Sequence, residues 1–353
     1  MASVISSEPV AATGVVDKAF GQVLGQVLDE VLDAERELRL DLVVARREEQ
    51  AQGIVVLDLV DPGGGRLPRF EPGAHVDVEV SPGLIRQYSL CGDPADTRIY
   101  RLSILLEPAS RGGSAAIHAS FQAGSCVRIG SPRNLFPLAA GARRSILIGG
   151  GIGITPMMAM AYHLHSEAQD FALHYCARAP TTAAFLIELN EAGFRDRVRL
   201  HFDDGPQVQR FDPVRDLPPP ADDVHLYVCG PEGFMAWVIA EAQRLGYCER
   251  QIHREYFKSN VDASGDAFEV VLSRSNRRVT VGTASTIVAA LADAGVKITT
   301  SCEEGICGTC LCTVLSGMPD HRDVYLTDEE KAANDQMLLC CSRSKTPELV
   351  LDL

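Results

Sequence analysis

Positive charge is scarce in this 353-residue sequence, which has 33 Lys and Arg against 47 Asp and Glu and a formal net charge of −14. Nucleic-acid binding needs clustered Lys and Arg, so this balance argues against a nucleic-acid partner and against an anionic membrane surface. The sequence also lacks a cationic, apolar leader, so no secretory signal is expected. It has neither internal repeats nor low-complexity tracts, and its 46% hydrophobic content is typical of globular domains.

No segment of the sequence is predicted to span a membrane. The best candidate, residues 145–162, is uncharged and mostly apolar, yet it contains four glycines and Pro156. That composition is typical of a turn between a strand and a helix. We therefore expect a protein that does not enter the membrane.

The 11 cysteines are distributed unevenly. Five are scattered through the first 300 residues, and six lie within the last 52. An odd total without a leader, concentrated in this way, indicates a metal site in a reducing compartment and not a disulfide framework. We therefore expect a cytoplasmic location.

The chain length predicts two or three domains, and the pattern of apolar residues divides the chain further. Apolar residues recur at intervals of three and four in the first segment, so it is either a helix packed on its own protein or a docking or oligomer-forming helix. The segments are an amphipathic helical extension (1–37), a six-stranded antiparallel barrel (38–140), a parallel βαβ sheet (141–258), a linker (259–265) and a third unit (266–353). The predicted fold is thus multidomain, α+β and α/β.

A cysteine loop carries the most specific signal. Cys302, Cys307 and Cys310 have the spacing C-x4-C-x2-C, and Cys340 lies 30 positions beyond Cys310. This is the spacing of plant-type [2Fe–2S] proteins, in which one loop supplies three thiolates and a distant strand the fourth. A structural zinc site is the alternative, although such sites usually pair two short Cys-x-x-Cys units. Strand alternation leaves either Cys340 or Cys341 as the inward residue.

Two turns follow apolar strands and open helices. Gly150 and Gly151 belong to the first, in which Thr155 and Pro156 are expected as the helix N-cap and first residue. Pro156 occupies the third glycine position of the G-x-G-x-x-G pattern, so this is not a Rossmann fingerprint. The second turn is Cys229-Gly230-Pro231. Both are expected at the carboxyl ends of parallel strands, where such sheets bind nucleotides, although a packing turn without a ligand is the alternative for the first.

The predicted barrel has two motifs that suit a phosphate-bearing aromatic cofactor. Arg86, Tyr88 and Ser89 lie on one strand, with Arg86 and Tyr88 on the same face. Arg111-Gly112-Gly113-Ser114 offers a cation, flexible backbone and a helix N-cap at Ser114. Taken singly, a surface arginine and a capping serine are the ordinary interpretations.

Taken together, these motifs resemble the phthalate dioxygenase reductase family, across residues 38–353. The resemblance implies an FMN-binding barrel, an NAD-binding domain and a β-grasp plant-type ferredoxin domain, in an order that goes with FMN and not FAD. It implies that Tyr88 lies against the isoalloxazine ring and that Phe257 closes over it. The family pattern Met-Leu-x-Cys, matched at residues 337–340, makes Cys340 the fourth iron ligand.

The resemblance also assigns residues to each cofactor. Ser89, Cys229 and Phe257 are expected at the reacting atoms. The residues expected to bind FMN are Arg86, Tyr88, Ser89, Ser103, Ile104, Leu105, Gly112, Gly113, Ser114 and Phe257, with the backbone of residues 103–105 along the edge of the ring. The residues expected to bind the nicotinamide nucleotide are Gly150, Gly151, Thr155, Cys229, Gly230 and Pro231. The expected iron ligands are Cys302, Cys307, Cys310 and Cys340.

The function implied is that of a reductase that accepts a hydride from NADH on FMN and passes single electrons through the [2Fe–2S] cluster. The sequence lacks paired Cys-x-His and Cys-x-x-His ligands for a Rieske centre, so a separate terminal oxygenase, of Rieske type, is the expected partner. The preference for NADH over NADPH stays open, because Arg178 lies just past a predicted strand end. Two alternatives also stay open: a reductase of a cytochrome P450 or diiron monooxygenase, and a redox-sensing protein without turnover.

Overall fold

The computed structural model describes residues 39–108, 112–258 and 261–353. The helix predicted in residues 1–37 and Arg111 of the barrel motif lie outside these residues. The predicted linker is described from residue 261 onward. Among the described residues, no helix is both long and apolar enough to cross a bilayer.

The first sheet is antiparallel, with seven strands in the described part of the chain. They are β1 (Leu40–Ala51), β2 (Ile54–Val60), β3 (Ala74–Ser81), β4 (Leu84–Ser89), β5 (Tyr100–Leu105), β6 (Cys126–Ile129) and β7 (Arg133–Asn134). The order is β4-β3-β6-β1-β2-β5, and β7 pairs with β3. A bridge between Leu90 and Leu102 joins the two ends and closes the barrel. The six-stranded barrel is confirmed, with the short β7 in addition.

Alternating side chains fill this barrel because successive residues of a strand point to opposite faces. Val76 and Val78 on β3 are buried with Leu102 and Ile104 on β5. Helix α1 (Gly113–Ser120) contributes the buried Ile117 to the same core. Residues at alternate positions, including Arg101 and Ser103, are therefore left to face the neighbouring sheet.

The second sheet is parallel, and its helices alternate with its strands. The elements are β8 (Arg144–Gly150), α2 (Ile154–Ser166), β9 (Asp170–Ala177), α3 (Leu186–Glu191), β10 (Val198–Phe202), α4 (Pro213–Asp216), β11 (Val224–Cys229), α5 (Glu232–Arg244) and β12 (Ile252–Glu255). The strand order is β10-β9-β8-β11-β12. Apolar runs at residues 146–148, 171–175, 198–202 and 224–229 predict four of these strands, and the edge strand β12 is missed. Every strand ends at the same edge, so the turns after β8 and β11 are neighbours.

The third sheet is mixed. Its elements are β13 (Phe268–Leu272), β14 (Arg277–Val281), α6 (Ile287–Asp293), β15 (Leu311–Ser316), α7 (Asp328–Ala333), β17 (Gln336–Leu338) and β19 (Glu348–Leu351), with a separate pair β16 (Pro319–Asp320) and β18 (Arg343–Ser344). The order is β14-β13-β19-β15-β17, with β13 and β19 parallel. Thr327 caps α7 in a capping box with Glu330. The three sheets together confirm the predicted fold class.

Two predicted helix caps are wrong. The helix after the glycine-rich turn has Gly153 as its N-cap, so Thr155 lies inside the first turn and its hydroxyl donates to the Ile152 carbonyl at 3.0 Å. Gly112, with φ of 90°, caps α1, so Ser114 lies inside that helix. In both cases glycine adopts the entry conformation, and the hydroxyl is left for other bonds.

Two arginines bind residues 262–266 to the third sheet. The guanidinium of Arg343, 2% exposed, donates to the carbonyl oxygens of Ala263, Asp266, Gly282 and Ser285 at 2.5–2.9 Å. Arg322 donates to the Ser264 carbonyl at 2.7 Å and to that of Asp262. This end of the predicted linker therefore packs as part of the third unit.

Candidate functional site

One cavity of about 1430 Å³ lies where the three sheets meet. The barrel contributes residues of β4 and β5, and the parallel sheet contributes the turns after β8 and β11. The third unit contributes Cys302, Ile306 and Tyr325. A cavity of this size has room for drug-sized ligands or a cofactor and a second ligand together.

Strand β4 forms one wall of the cavity. Arg86, Tyr88 and Ser89 all line it, although strand alternation separates Ser89 from the other two. Burial raises the pKa of Tyr88 to about 12, so the phenol stays neutral. An aromatic ring with a neutral hydroxyl, half-buried against the barrel core, suits a planar ligand.

Strand β5 supplies an unpaired hydroxyl. Ser103 is 4% exposed and lines the cavity, but no hydrogen-bond partner lies within reach of its Oγ. Buried hydroxyls are usually bonded, so an unpaired one that faces a cavity indicates a ligand atom. Leu105, two residues along the same face, also lines the cavity. The structure thus shows a polar position in the wall that a flavin could satisfy.

The opposite end of the barrel wall suits an anion. Gly113 and Ser114, in the first turn of α1, line the cavity, and the stem of Arg86 lies directly against Gly113. The Ser114 hydroxyl accepts a hydrogen bond from the Glu107 backbone at 3.1 Å. Because a helix N-terminus and a guanidinium both attract negative charge, a phosphate fits here.

The parallel sheet forms the facing wall through its two turns. Gly150, Gly151, Thr155, Gly230 and Pro231 all line the cavity. The turns are in direct contact, because a Cβ on Gly153 would collide with the Cys229 carbonyl oxygen. Glycine is thus required where the two turns meet.

Three of the residues predicted to bind flavin or nucleotide do not line the cavity, and neither do the predicted iron ligands Cys307, Cys310 and Cys340. The side chain of Ile104 packs inside the barrel core, and Gly112 lies behind Gly113 at the start of α1. Cys229 is fully buried, and burial raises the pKa of its thiol well above the usual value. Phe257, by contrast, lines the cavity from the segment after β12.

The four predicted iron ligands are buried together in pairs. The thiol of Cys302 lies beside that of Cys307, and the thiol of Cys310 beside that of Cys340. The neighbouring Cys302 thiol lowers the pKa of Cys307, and the pKa of Cys302 is raised in turn. Among the described residues, no three His, Cys, Asp or Glu side chains are arranged around one metal ion. Two pairs of thiols, in contrast, fit a cluster of two irons.

Backbone amides of the loop point toward these sulfurs. The Glu304 N–H donates to the Cys302 sulfur and the Gly305 N–H to the Cys340 sulfur, each at 3.3 Å. Gly308 has φ of 74°, and a Cβ there would collide with the Tyr325 ring, so glycine is required. Cys341 is buried beside Cys340, and its sulfur lies 3.8 Å from the Ser342 hydroxyl. The bond from Gly305 supports Cys340 as the fourth ligand.

Two titratable residues of the site were not predicted. Glu255, at the end of β12, lines the cavity and accepts a hydrogen bond from the Ser89 hydroxyl at 3.3 Å. Burial raises its pKa to about 8, so the carboxyl holds a proton at neutral pH. His75, opposite Ser89 on β3, is buried and lines the same wall; burial lowers its pKa to about 4. A strand assignment for residues 252–255 would have placed Glu255 at the binding edge.

Comparison with known protein families indicates which metal centre the cysteine loop binds. The model of the 2Fe-2S iron-sulfur cluster binding domain matches residues 270–345. This match covers all four predicted ligands, and it favours the iron–sulfur interpretation over a zinc site.

Relatives of known function match nearly the whole chain. Vanillate O-demethylase oxidoreductase of Pseudomonas sp. (strain HR199) is 47% identical over 316 residues, covering 89% of this chain and 100% of that protein. Phthalate dioxygenase reductase of Burkholderia cepacia is 39% identical over 320 residues, covering 89% of this chain and 97% of that protein.

Solved structures agree. Phthalate dioxygenase reductase, described as a modular structure for electron transfer from pyridine nucleotides to [2Fe–2S], superimposes with a TM-score of 0.69 at 36% identity, covering 90% of this chain and 98% of that one. An intact type IV self-sufficient cytochrome P450 monooxygenase gives a TM-score of 0.78 at 36% identity, covering 90% of this chain but 41% of the P450 chain. The chain belongs to the phthalate dioxygenase reductase family, the oxygenase reductase components that carry electrons from pyridine nucleotide through flavin and a [2Fe–2S] cluster.

Proposed function

We propose that this chain takes a hydride from NADH onto FMN and delivers single electrons through its [2Fe–2S] cluster to a separate Rieske-type oxygenase. The observation that carries the proposal is the shared cavity, because Tyr88, Gly230 and Cys302 line one continuous space. A nucleotide, a flavin and a cluster loop can thus approach one another without a change of domain arrangement. Bound FMN would supply the conversion of a two-electron donor into a one-electron donor.

The residues of the barrel would bind and orient the flavin. The Ser103 hydroxyl would gain the partner that it lacks, and Tyr88 would pack against the ring. Arg86 and the first turn of α1 would hold the single phosphate. Phe257, on the other side of the cavity, would exclude water from the flavin face until the nicotinamide displaces it.

Ser89 and Glu255 would keep the surroundings of the flavin ring free of negative charge. The hydroxyl of Ser89 donates to the carboxyl of Glu255, which stays neutral because burial raises its pKa to about 8. A neutral carboxyl places no negative charge beside a flavin that becomes anionic on reduction, so it does not oppose reduction. Cys229, which does not line the cavity, would act through packing and its backbone.

The partner is a separate oxygenase, as in the multicomponent systems to which the relatives belong. Its Rieske type is part of the proposal, supported by phthalate dioxygenase reductase and vanillate O-demethylase oxidoreductase among the relatives. A cytoplasmic location is likewise proposed, because all 11 cysteines are unpaired and the cluster needs thiolates.

A second candidate acceptor is a cytochrome P450. The self-sufficient P450 monooxygenase superimposes on 90% of this chain, with a higher TM-score than phthalate dioxygenase reductase. Reconstitution separates the candidates. NADH-dependent reduction of a purified Rieske oxygenase, but not of a stand-alone P450, supports the first proposal, and the reverse result supports the second.

An anaerobic titration of the purified protein with NADH tests the relay itself. We expect both the flavin and the cluster absorption to bleach, with uptake of about three electrons per protein. The matched control is Cys340→Ser, in which flavin bleaching alone should remain. A protein without flavin, or one whose cluster never bleaches, would contradict the proposal and favour a redox-sensing role without turnover.

A further inference from the structure

The carboxylate of Asp77, on β3 of the barrel, is shared between two units of the protein. Its Oδ1 accepts hydrogen bonds from the Gln87 amide and from the Ser301 hydroxyl, each at 3.0 Å. Its Oδ2 accepts one from Arg133 at 2.6 Å. Gln87 and Arg133 belong to strands of the same barrel, so they hold the carboxylate in one orientation for Ser301.

Ser301 places this contact at the edge of the cluster loop. It is 8% exposed and directly precedes Cys302, which lines the shared cavity. On the barrel side, Asp77 lies two residues from His75, which lines the same cavity opposite Ser89. The hydrogen bond therefore joins the barrel and the third unit close to the point where the two cofactor sites face each other.

The covalent connection to the third unit comes from the parallel sheet and not from the barrel, so it does not replace this contact. Residues 262–266 are bound by Arg322 and Arg343, so they belong to the third unit and move with it. The orientation of the cluster loop against the barrel thus depends on contacts across the interface. A charge-assisted hydrogen bond is directional, whereas apolar contacts allow sliding.

We propose that Asp77 is a positioning residue that docks the cluster loop onto the flavin barrel through Ser301 and thereby sets the rate of electron transfer between the two cofactors. This inference rests on the proposed function. The step that it controls moves one electron from the reduced flavin to the oxidised cluster: the flavin is oxidised by one electron, the cluster is reduced by one, and no bond to the protein forms or breaks. Asp77 raises the fraction of molecules in which the cluster loop is docked on the barrel, and it does not affect hydride transfer to the flavin.

The test compares the full-length, cofactor-loaded protein with Asp77→Ala, Ser301→Ala and the double variant. Asp41→Asn is the matched control, because it removes an exposed carboxylate that binds Arg128 at 2.8 Å on the same barrel. Stopped-flow spectroscopy with NADH follows flavin reduction and cluster reduction separately. Small-angle scattering and hydrogen exchange of the cluster loop report docking without turnover.

We expect Asp77→Ala and Ser301→Ala to slow cluster reduction about tenfold, which is the population ratio that a hydrogen bond to a charged group supports. Flavin reduction and the cluster spectrum should stay unchanged, and Asp41→Asn should match the wild type throughout. The double variant should be no slower than Asp77→Ala, because both changes remove one contact. Hydrogen exchange of residues 300–310 should increase in all three docking variants.

Three results would overturn the inference: unchanged cluster reduction in both single variants, additive losses in the double variant, or unchanged exchange of the loop. Slower flavin reduction in Asp77→Ala would do so as well, since it would mean damage to the barrel. Failure of the proposed function is distinct, because the wild-type protein itself would then show no cluster reduction by NADH. The variant Ser301→Thr, which keeps the hydroxyl, should restore the wild-type rate.

Discussion

Because the hydroxyl of Ser103 is unpaired, its removal should stabilise the flavin-free protein but weaken the binding of FMN. A buried polar group without a partner costs about 1–3 kcal/mol of stability. Ser103→Ala removes that cost, so we expect the flavin-free protein to become more stable by about 1 kcal/mol or more. In the proposed flavin complex the hydroxyl would gain a partner, so the same change should raise the FMN dissociation constant about tenfold.

The assay has two parts, both made on purified protein. Urea unfolding of the deflavinated protein gives the change in stability, and quenching of flavin fluorescence gives the dissociation constant. Ser145→Ala is the matched control, because this buried serine is hydrogen-bonded to Tyr227. That variant should lose stability in both states and keep its affinity for FMN. A less stable flavin-free Ser103→Ala would show that the hydroxyl is already satisfied, and an unchanged dissociation constant would remove Ser103 from the flavin site.

Three further predictions concern the cluster ligands, the glycine between the two turns and the buried carboxyl of Glu255. Cys340→Ser should abolish the cluster absorption, whereas Cys341→Ser should keep it; iron analysis with visible spectra decides, and loss of iron in both variants would contradict the assignment. Gly153→Ala should cost about 2 kcal/mol, since its Cβ would collide with a carbonyl oxygen of the neighbouring turn; an unchanged urea midpoint would refute this. Burial raises the pKa of Glu255 from 4.5 to about 8, so between these values the folded protein keeps a proton that the unfolded chain releases. The free energy of unfolding should therefore fall as the pH rises from about 5 toward 8. Glu255→Gln should flatten the decline between about pH 5 and 8 by roughly 2 kcal/mol, and parallel wild-type and variant profiles would count against the raised pKa.

Periodicity and spacing predicted the fold class well because they report local properties of the chain. Alternation along β3 and the apolar runs of β8 and β11 are visible in the sequence, and the cysteine spacing identifies one kind of cluster. The edge strand β12 was missed because it has four residues, of which three, His253, Arg254 and Glu255, are polar. Short, partly exposed strands carry little periodic signal.

Contacts between distant residues set the limit of the sequence predictions for the site. Ser89 meets Glu255 across 166 positions, and Asp77 meets Ser301 across 224. No local pattern encodes such pairs, since they depend on how the separate sheets pack. The misplaced cap at Thr155 has a different cause: a hydroxyl and a preceding glycine compete for the same position, and the tight approach of two turns favours the glycine.

The buried guanidinium of Arg343 indicates where the chain can be cut or fused. A fragment that begins at residue 266 would lose the Ala263 carbonyl, and with it both carbonyls that Arg322 binds. Arg343 would keep the carbonyls of Asp266, Gly282 and Ser285, but the loss of one hydrogen bond to this buried cation costs about 1.5–3 kcal/mol, a large fraction of the stability of a unit of this size. A portable electron-transfer module therefore starts no later than residue 261, and gene fusions that join this unit to other oxygenases must carry that short preceding segment with it.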